Sequence, residues 1–156
     1  MNDSKYMEEA VRLAQHGMLS GDGGPFGAVI VRKGEIVGKG WNKVLKTNDP
    51  TAHAEIVAIR EASARLDSYW LEDCHIYSNC EPCPMCLAAI YWARISKLTY
   101  GATRKDAAEI GFDDNTLYRE VCLPVDGRTL RATQLCRKEA LQVMRIWPEM
   151  AEKQQY

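Results

Sequence analysis

Hydrophobic residues recur along the chain at two spacings, one typical of helices and one typical of short strands. Helical spacing first occurs at Met7, Ala10, Val11, Ala14 and Met18, which predicts an N-terminal helix whose apolar stripe faces a core. Further helices are predicted at residues 52–66, 84–94 and 137–150. Short apolar runs bounded by turn-forming residues predict strands at residues 28–31, 35–40, 74–78 and 97–100. Because helices and strands alternate, the pattern favours an α/β sandwich with a mixed sheet.

The connections between these elements are rich in turn-forming residues. Residues 20–25 form a glycine-rich loop, and Lys33-Gly34 suits a tight turn, so residues 28–40 are predicted to form a β-hairpin. A second loop, at residues 46–50, precedes the helix predicted from residue 52. Residues 106–114 mix small and acidic side chains and are interpreted as a functional loop, whereas residues 152–156 are interpreted as a polar tail.

Length and composition indicate a single globular domain over residues 1–156. The chain is 46% hydrophobic and 26% charged, and a chain of 156 residues is long enough to bury a sizeable core. Its 20 basic and 21 acidic residues balance, which argues against nucleic-acid binding driven by a strong positive field. The N-terminal residues are polar, and no apolar run approaches the roughly 18 residues that span a bilayer. We therefore expect a cytoplasmic protein with no membrane partner.

Three of the six cysteines are clustered, at Cys80, Cys83 and Cys86. Because the sequence shows no export signal, a disulfide framework is not expected, and the cluster points to a metal site. Two alternatives stay open from the spacing alone. Cys80 and Cys83 have the spacing of a redox dithiol, and Cys80 would also complete a closed structural zinc site with four ligands.

Two short motifs carry the candidate chemistry, His53-Ala54-Glu55 and Pro82-Cys83-Pro84-Met85-Cys86. Zinc favours imidazole and thiolate ligands in tetrahedral geometry. Cys83 and Cys86 are one helical turn apart at a predicted helix N-terminus, where the N–H groups and the helix dipole favour thiolates. His53 begins its own helix and supplies a third ligand. Three protein ligands leave a fourth position for water, so we expect one catalytic zinc ion per chain.

Glu55 is the predicted proton carrier. A carboxylate beside such a metal site can take a proton from water and return it to a ring nitrogen and a leaving amine of the substrate. Neither a redox dithiol nor a closed zinc site requires this glutamate. The combination of Glu55 with the three ligands therefore favours a hydrolytic deaminase.

The two motifs resemble those of the cytidine-deaminase superfamily of zinc enzymes. The resemblance covers most of the chain, and its matching stretches are residues 23–31, 48–55, 80–94 and 106–114. Within the superfamily, residues 90–94 and 111–114 are similar to bacterial guanine deaminases. The resemblance implies a three-layer α/β/α sandwich with a five-stranded mixed sheet. It further implies hydrolysis of guanine to xanthine and ammonia in purine catabolism, by a homodimer whose C-terminal segments are exchanged.

The resemblance also implies which polar groups bind the purine. By position, Asn42 would hydrogen-bond the ring and the backbone N–H of Ala54 would face it. Asp114 would read the guanine edge. These roles suit the groups concerned, because an amide both donates and accepts whereas a carboxylate accepts from the N–H groups of guanine.

Three aromatic residues complete the implied pocket. By position, Phe26 and Trp92 would form its walls, and aromatic faces stack well on a base. Tyr156, at the end of the polar tail, matches a terminal tyrosine that closes the pocket of the other subunit.

Three other functions stay open from the sequence. The first is the same chemistry on guanosine, another amino-purine, isocytosine or a triazine. The second is a tRNA adenosine deaminase, which would need a basic groove for an anticodon loop. The near-neutral charge and the acidic pair Asp113-Asp114 argue against it. The third is a structural zinc module, which would need neither an open metal position nor Glu55.

Overall fold

The computed structural model describes residues 3–155, which fall into two compact units, one ending at Asp114 and the other beginning at Asn115. Among these residues, the first unit contains a four-stranded mixed sheet with helices on both faces. The strands are β1 (Gly27–Arg32), β2 (Glu35–Trp41), β3 (Cys74–Cys80) and β4 (Lys97–Ala102). The helices are α1 (Ser4–Leu19), α2 (Val44–Thr47), α3 (Ala54–Leu66), α4 (Pro84–Trp92) and α5 (Arg104–Glu109). The predicted α/β class with a mixed sheet is confirmed.

The sheet has the strand order β2-β1-β3-β4. Strand β1 is antiparallel to β2 and β3, and β4 is parallel to β3. Lys33 and Gly34 connect β1 to β2 with φ angles of 49° and 84°. Positive φ at both central residues is typical of the tight turn that matches the twist of a hairpin, so the predicted hairpin is confirmed. The parallel pair is joined through α4, which therefore begins just beyond the end of β3.

Strand β1 divides the core into two clusters, because successive side chains of a strand point to opposite faces. On one face, Val29 and Val31 pack with residues of α1 and β3, namely Tyr6, Leu13 and Tyr77. On the other face, Ala28 and Ile30 pack with residues of α3 and α4, including Ala54, Ala58, Ala62, Ile90 and Ala93. Both helices that carry the candidate ligands thus lie on the second face.

Two glycines of β2 allow α3 to lie directly against the sheet. A Cβ atom on Gly40 would come within 2.0 Å of the Ala54 carbonyl oxygen, and one on Gly38 within 2.4 Å of the Ala58 carbonyl oxygen. Only glycine permits such a close approach of two backbones. Because Ala54 is the first residue of α3, this contact fixes the N-terminal end of the helix that carries His53 and Glu55.

The predicted apolar stripe of α1 was wrong in part. Val11 and Met18 are exposed, although both were assigned to the core-facing stripe. The buried face is instead formed by Tyr6, Ala10, Leu13, Ala14 and Gly17. The buried face differs from the predicted one for a steric reason. Gly17 lies against the Trp41 ring, and a Cβ atom on Gly17 would come within 2.2 Å of it. A large β2 side chain thus occupies the space beside Gly17.

Residues 106–114 do not form a continuous loop, contrary to the sequence interpretation. Helix α5 includes Asp106 and extends to Glu109. Thr103 and Asp106 form a reciprocal capping box, in which the Thr103 side chain accepts from the Asp106 N–H and the Asp106 side chain accepts from the Thr103 N–H. This box supplies partners for N–H groups at the start of the helix. Only residues 110–114 connect α5 to the next helix.

The second unit is helical. The expected five-stranded sheet is therefore wrong for the described residues, which contain four strands. Its elements are α6 (Asn115–Cys122) and α7 (Arg137–Ile146), with 3₁₀ turns at Val125–Gly127 and Trp147–Glu149. Its apolar residues recur at helical spacing, as at Leu117 and Val121, and Pro124 and Pro148 cannot donate a ladder hydrogen bond.

None of residues 115–155 is buried, so this unit has no core of its own. Its exposed apolar side chains include Leu117, Val121, Val143, Ile146 and Trp147. Every helix between residues 3 and 155 is too short or too polar to cross a membrane.

Candidate metal centre and active site

The structure brings together the three residues whose spacing predicted a metal site. The ligand atoms of His53, Cys83 and Cys86 all lie within 4.8 Å of one another. The Cys83 and Cys86 sulfur atoms lie 3.6 Å and 3.5 Å from Nδ1 of His53. His53 precedes Cys83 by 30 residues, so packing of α3 beside α4, rather than local sequence, makes the cluster.

Both helices begin at a candidate ligand. His53 and Cys83 are the N-cap residues of α3 and α4, and both have extended backbone, with ψ angles of 158° and 168°. Pro84 then occupies the first turn of α4, where its missing N–H costs no intrahelical hydrogen bond. Two helix N-termini consequently converge on the cluster, and their dipoles favour negative charge there.

Hydrogen bonding within the cluster makes one of its thiols acidic. The hydrogen bond with Cys86, followed by that with His53, lowers the pKa of Cys83 to about 4 despite its burial. The same bond to Cys83 raises the pKa of Cys86, and the bond between Cys83 and His53 raises the pKa of the imidazole. The lowered pKa of Cys83 favours its thiolate form, which is the form that binds a metal.

This set of donors fits zinc. Thiolate sulfur and imidazole nitrogen are its usual protein ligands. Three protein ligands leave the fourth coordination position open, as in catalytic zinc sites. Cys86 is fully buried while His53 and Cys83 are partly exposed, so the cluster is accessible at these two residues.

Glu55 lies in the first turn of α3 and is only 6% exposed. The hydroxyl of Ser78 lies 3.4 Å from its Oε1 atom and donates to it. Burial raises the pKa of Glu55, so the carboxyl group takes up a proton more readily than it would in water. A carboxylate with this property suits a group that accepts and returns protons.

Cys80 lies apart from the ligand cluster. It ends β3, is buried, and its sulfur lies 3.6 Å from the carbonyl oxygen of Thr103. Burial raises the pKa of this thiol to about 11, whereas a metal ligand or a reactive dithiol needs a thiolate. In the described part of the chain the metal-binding group comprises three residues without Cys80, which weighs against both alternatives based on it.

Phe26 lies immediately before β1 and contacts a second aromatic ring. Its centroid is 4.9 Å from that of Phe112, with the rings edge to face. Gly24 makes room for this pair, because a Cβ atom there would come within 2.9 Å of Phe112. The amide of Asn79 holds the backbone on both sides of Phe26, since Nδ2 donates to Pro25 O at 2.9 Å and Oδ1 accepts from Gly27 N at 2.8 Å.

Asn42 follows the last residue of β2 and is buried. Its backbone N–H donates to the carbonyl oxygen of Phe26 at 2.9 Å, so the two implied substrate contacts are connected through the backbone. The Oδ1 atom of Asn42 accepts from the N–H of Val44 at 3.2 Å. Ala54, the first residue of α3, is fully buried next to Glu55.

The remaining implied substrate contacts have different surroundings. Asp114 is half-buried, and burial, followed by the charge of Cys83, raises the pKa of its carboxyl group. Trp92 is 64% exposed at the C-terminal end of α4. At about 1.5 Å of rise per residue, Trp92 lies roughly 13 Å along the helix axis from Cys83. It is therefore at the opposite end of α4 from the metal cluster. Tyr156 lies outside the described residues.

Three residues of the site had no role assigned to them from the sequence. They are Ser78, which donates to Glu55, Asn79, which holds the backbone beside Phe26, and Phe112, which contacts the Phe26 ring. Two of them follow each other at the end of β3, one step before Cys80. That position, where a strand ends beside the metal motif, is the sequence signal that would have drawn attention to them.

Residues 1–102 match a family model described as the cytidine and deoxycytidylate deaminase zinc-binding region. The chain is 49% identical over 156 residues to guanine deaminase of Bacillus subtilis (strain 168), covering 100% of both chains. It superposes on the X-ray structure of guanine deaminase from Bacillus subtilis with a TM-score of 0.96 and 49% identity, covering 100% of this chain and 99% of the other. It is also 42% identical over 104 residues to a tRNA-specific adenosine deaminase of Buchnera aphidicola, covering 67% of this chain and 68% of that relative.

Proposed function

The chain belongs to the cytidine and deoxycytidylate deaminase family, and from this membership we propose that it hydrolyses guanine to xanthine and ammonia. One observation carries the choice of substrate. The similarity to guanine deaminase extends over all 156 residues, whereas that to the tRNA-specific adenosine deaminase extends over 104. The residues after Asp114 are therefore shared with an enzyme that acts on a free base.

We propose that one zinc ion binds to His53, Cys83 and Cys86. When bound, zinc supplies Lewis acidity that makes water nucleophilic near neutral pH. Glu55 accepts a proton from the water that attacks C2 of guanine, and returns it to a ring nitrogen. Glu55 then passes the second water proton to the departing amino nitrogen, which leaves as ammonia. The water oxygen remains on C2 of xanthine, and the hydroxyl of Ser78 orients the carboxylate between transfers.

We propose that the other implied contacts orient the purine against this proton carrier. Asn42 and Asp114 supply the polar contacts, and the aromatic ring of Phe26 supplies a wall. The contact between Phe26 and Phe112 makes this wall rigid, which favours binding of a planar base. The N–H of Ala54 and the ring of Trp92 complete the proposed set.

We infer that the enzyme is a homodimer in which the C-terminal segments are exchanged. None of residues 115–155 is buried in a single chain, and the exposed apolar side chains among them need a partner surface. A second copy is the commonest partner for such a surface. In this dimer Tyr156 closes the pocket of the other subunit, and Trp92 lies where that subunit covers it.

We also place the enzyme in the cytoplasm. The proposed ligands Cys83 and Cys86 must be reduced to bind zinc, and a reducing compartment keeps cysteines in that state. All six cysteines of the chain are free thiols in the structure.

Guanine is expected to be converted to xanthine, and adenosine in a tRNA anticodon stem-loop is expected to stay unchanged. The reason is that Asn42 and Asp114 offer partners for the edge of a free purine. Xanthine formation is measured by ultraviolet absorbance and inosine by chromatography of the digested RNA, with guanosine as a nucleoside control. Inosine in the stem-loop without xanthine from guanine would favour the tRNA-specific function instead.

Removal of residues 153–156 is expected to leave folding and zinc content intact while lowering kcat/KM for guanine by about tenfold or more, because the tail excludes water from the pocket. The point variant Tyr156→Ala tests the aromatic ring alone. Circular dichroism and metal analysis accompany the kinetics.

Exchange of the tail is tested by mixing subunits. A Glu55→Gln chain with an intact tail is combined with a truncated chain that retains Glu55, and part of the activity is expected to return. An unchanged kcat/KM after truncation would discard the role of the tail. Loss of activity without rescue in verified mixed dimers would discard the exchange.

A further inference from the structure

Asp22 is a buried carboxylate that the proposed reaction does not use. Its residue is 6% exposed, and its Oδ2 atom accepts from Trp41 Nε1 at 2.7 Å and from Lys46 Nζ at 3.1 Å. The bond from Trp41, followed by that from Lys46, lowers the pKa of this carboxyl, so it carries a charge at neutral pH. Asp is rarely buried unless it is paired, and here Trp41 and Lys46 supply that pairing.

The backbone of Asp22 connects the same elements a second time. Its N–H donates to the carbonyl oxygen of Gly17 in α1 at 2.9 Å. Its carbonyl oxygen accepts from the N–H groups of Leu45 and Lys46 in the first turn of α2, at 3.1 Å and 3.0 Å. These N–H groups have no partner within the helix, so Asp22 supplies one from outside it. The end of α1 and the start of α2 are therefore joined at one residue.

Asn42 lies between the two side chains that Asp22 binds, immediately after Trp41 and four residues before Lys46. The residue after Asp22, Gly23, lies directly against the Asn42 amide, because a Cβ atom there would come within 2.0 Å of Oδ1. The same Oδ1 accepts from Val44 N–H, which leaves the NH₂ group of the amide as the donor available to a ligand. The position of Asn42 thus depends on where residues 22–24 and the start of α2 lie.

We propose that Asp22 is a positioning residue for substrate binding, which holds the Asn42 amide in the orientation that receives the purine. The proposal rests on the proposed function, since it takes Asn42 as a contact of the guanine ring. Asp22 acts through the bonds to Trp41 and Lys46 and through the contact of Gly23 with Asn42. It touches neither the metal cluster nor Glu55 in the described hydrogen bonds, so its effect falls on affinity rather than on proton transfer.

Asp22→Ala is expected to raise KM for guanine by about tenfold, with kcat changed less than about threefold and zinc content unchanged, because binding that is equal in ground and transition states affects KM alone. Asp22→Asn is expected to raise KM less, since an amide oxygen still accepts from Trp41. Trp41→Phe removes the donor of the bond to Asp22. If Asp22→Ala fails to fold, KM is measured for Trp41→Phe instead, and the same direction of change is expected.

Glu9→Gln is the matched control. Glu9 is also a carboxylate that binds a cation of β2, since Lys39 Nζ lies 2.6 Å from it. It also accepts from Arg12 Nε of its own helix at 2.7 Å. None of these hydrogen bonds involves residues 22–24 or Asn42. We expect Glu9→Gln to leave KM within about twofold of the parent, even where both variants lower the melting temperature.

A double-mutant cycle separates positioning from general destabilisation. If Asp22 acts through Asn42, the double variant Asp22→Ala with Asn42→Ala has the KM of Asn42→Ala alone. A double variant whose change in KM equals the product of the two single changes would overturn the proposal. An Asp22→Ala enzyme with an unaltered KM would overturn it as well. The proposed function fails separately, because its failure is a parent enzyme that does not convert guanine.

Discussion

Glu55→Gln is expected to keep its zinc and to lose turnover, with kcat lowered by about 10² to 10⁴-fold. Glutamine has nearly the same shape as glutamate, so it fills the buried site beside Ser78, but its amide cannot accept and return a proton at neutral pH. No other carboxylate lies in either of the two metal-ligand motifs. Turnover is followed by xanthine formation, and zinc is counted per chain by mass spectrometry.

Glu61→Gln is the matched control for this experiment. Glu61 lies on the same helix but is exposed, so its replacement changes the charge of α3 without changing the site. We expect the control to have the kcat of the parent enzyme. A Glu55→Gln enzyme within about tenfold of the parent would reject the proton-transfer role, because general acid-base catalysis contributes more than that.

Cys83→Ser is expected to lose most of its zinc, whereas Cys80→Ser retains about one zinc per chain. Serine is a poor zinc ligand at neutral pH, and Cys83 is the thiol whose pKa the cluster lowers to about 4. Cys80 is the ideal control because it has the same spacing to Cys83 that Cys83 has to Cys86, yet its buried thiol contacts Thr103 instead of the cluster.

Thermal unfolding provides a second measure of the same assignment. Because metal binding contributes to folding free energy, a chelator should lower the melting temperature of the parent and of Cys80→Ser, and should have little effect on Cys83→Ser. Zinc retained by Cys83→Ser but lost by Cys80→Ser would mean that the ligand set is wrong.

The parts of the site that were predictable from sequence are those encoded locally. Cys83 and Cys86 are separated by one helical turn, and His53 lies at a helix start, so motif and capping patterns place the ligands on two helices. Ser78 was missed because its contact with Glu55 joins positions 23 residues apart. Phe112 and Asn79 were missed for the same reason, since only the folded chain brings them to Phe26.

The errors in the fold also have physical causes. The apolar spacing of α1 is compatible with more than one buried face, and the contact between Gly17 and Trp41 selects one of them. Asp106 was assigned to a loop because its neighbours are small and polar, although the Thr103 to Asp106 spacing was a recognisable helix start. The fifth strand came only from the resemblance, and the residues themselves predicted four.

The division of the core by β1 has a consequence for how the sequence can diverge. The cluster that faces α1, which contains Tyr6, Leu13, Val29, Val31 and Tyr77, contains no metal ligand and no proton carrier. Substitutions that conserve volume there change the free energy of unfolding without altering the distances between His53, Cys83 and Cys86. Natural drift and laboratory stabilisation can therefore act on these five positions, while the face that carries α3 and α4 is restrained by its chemistry.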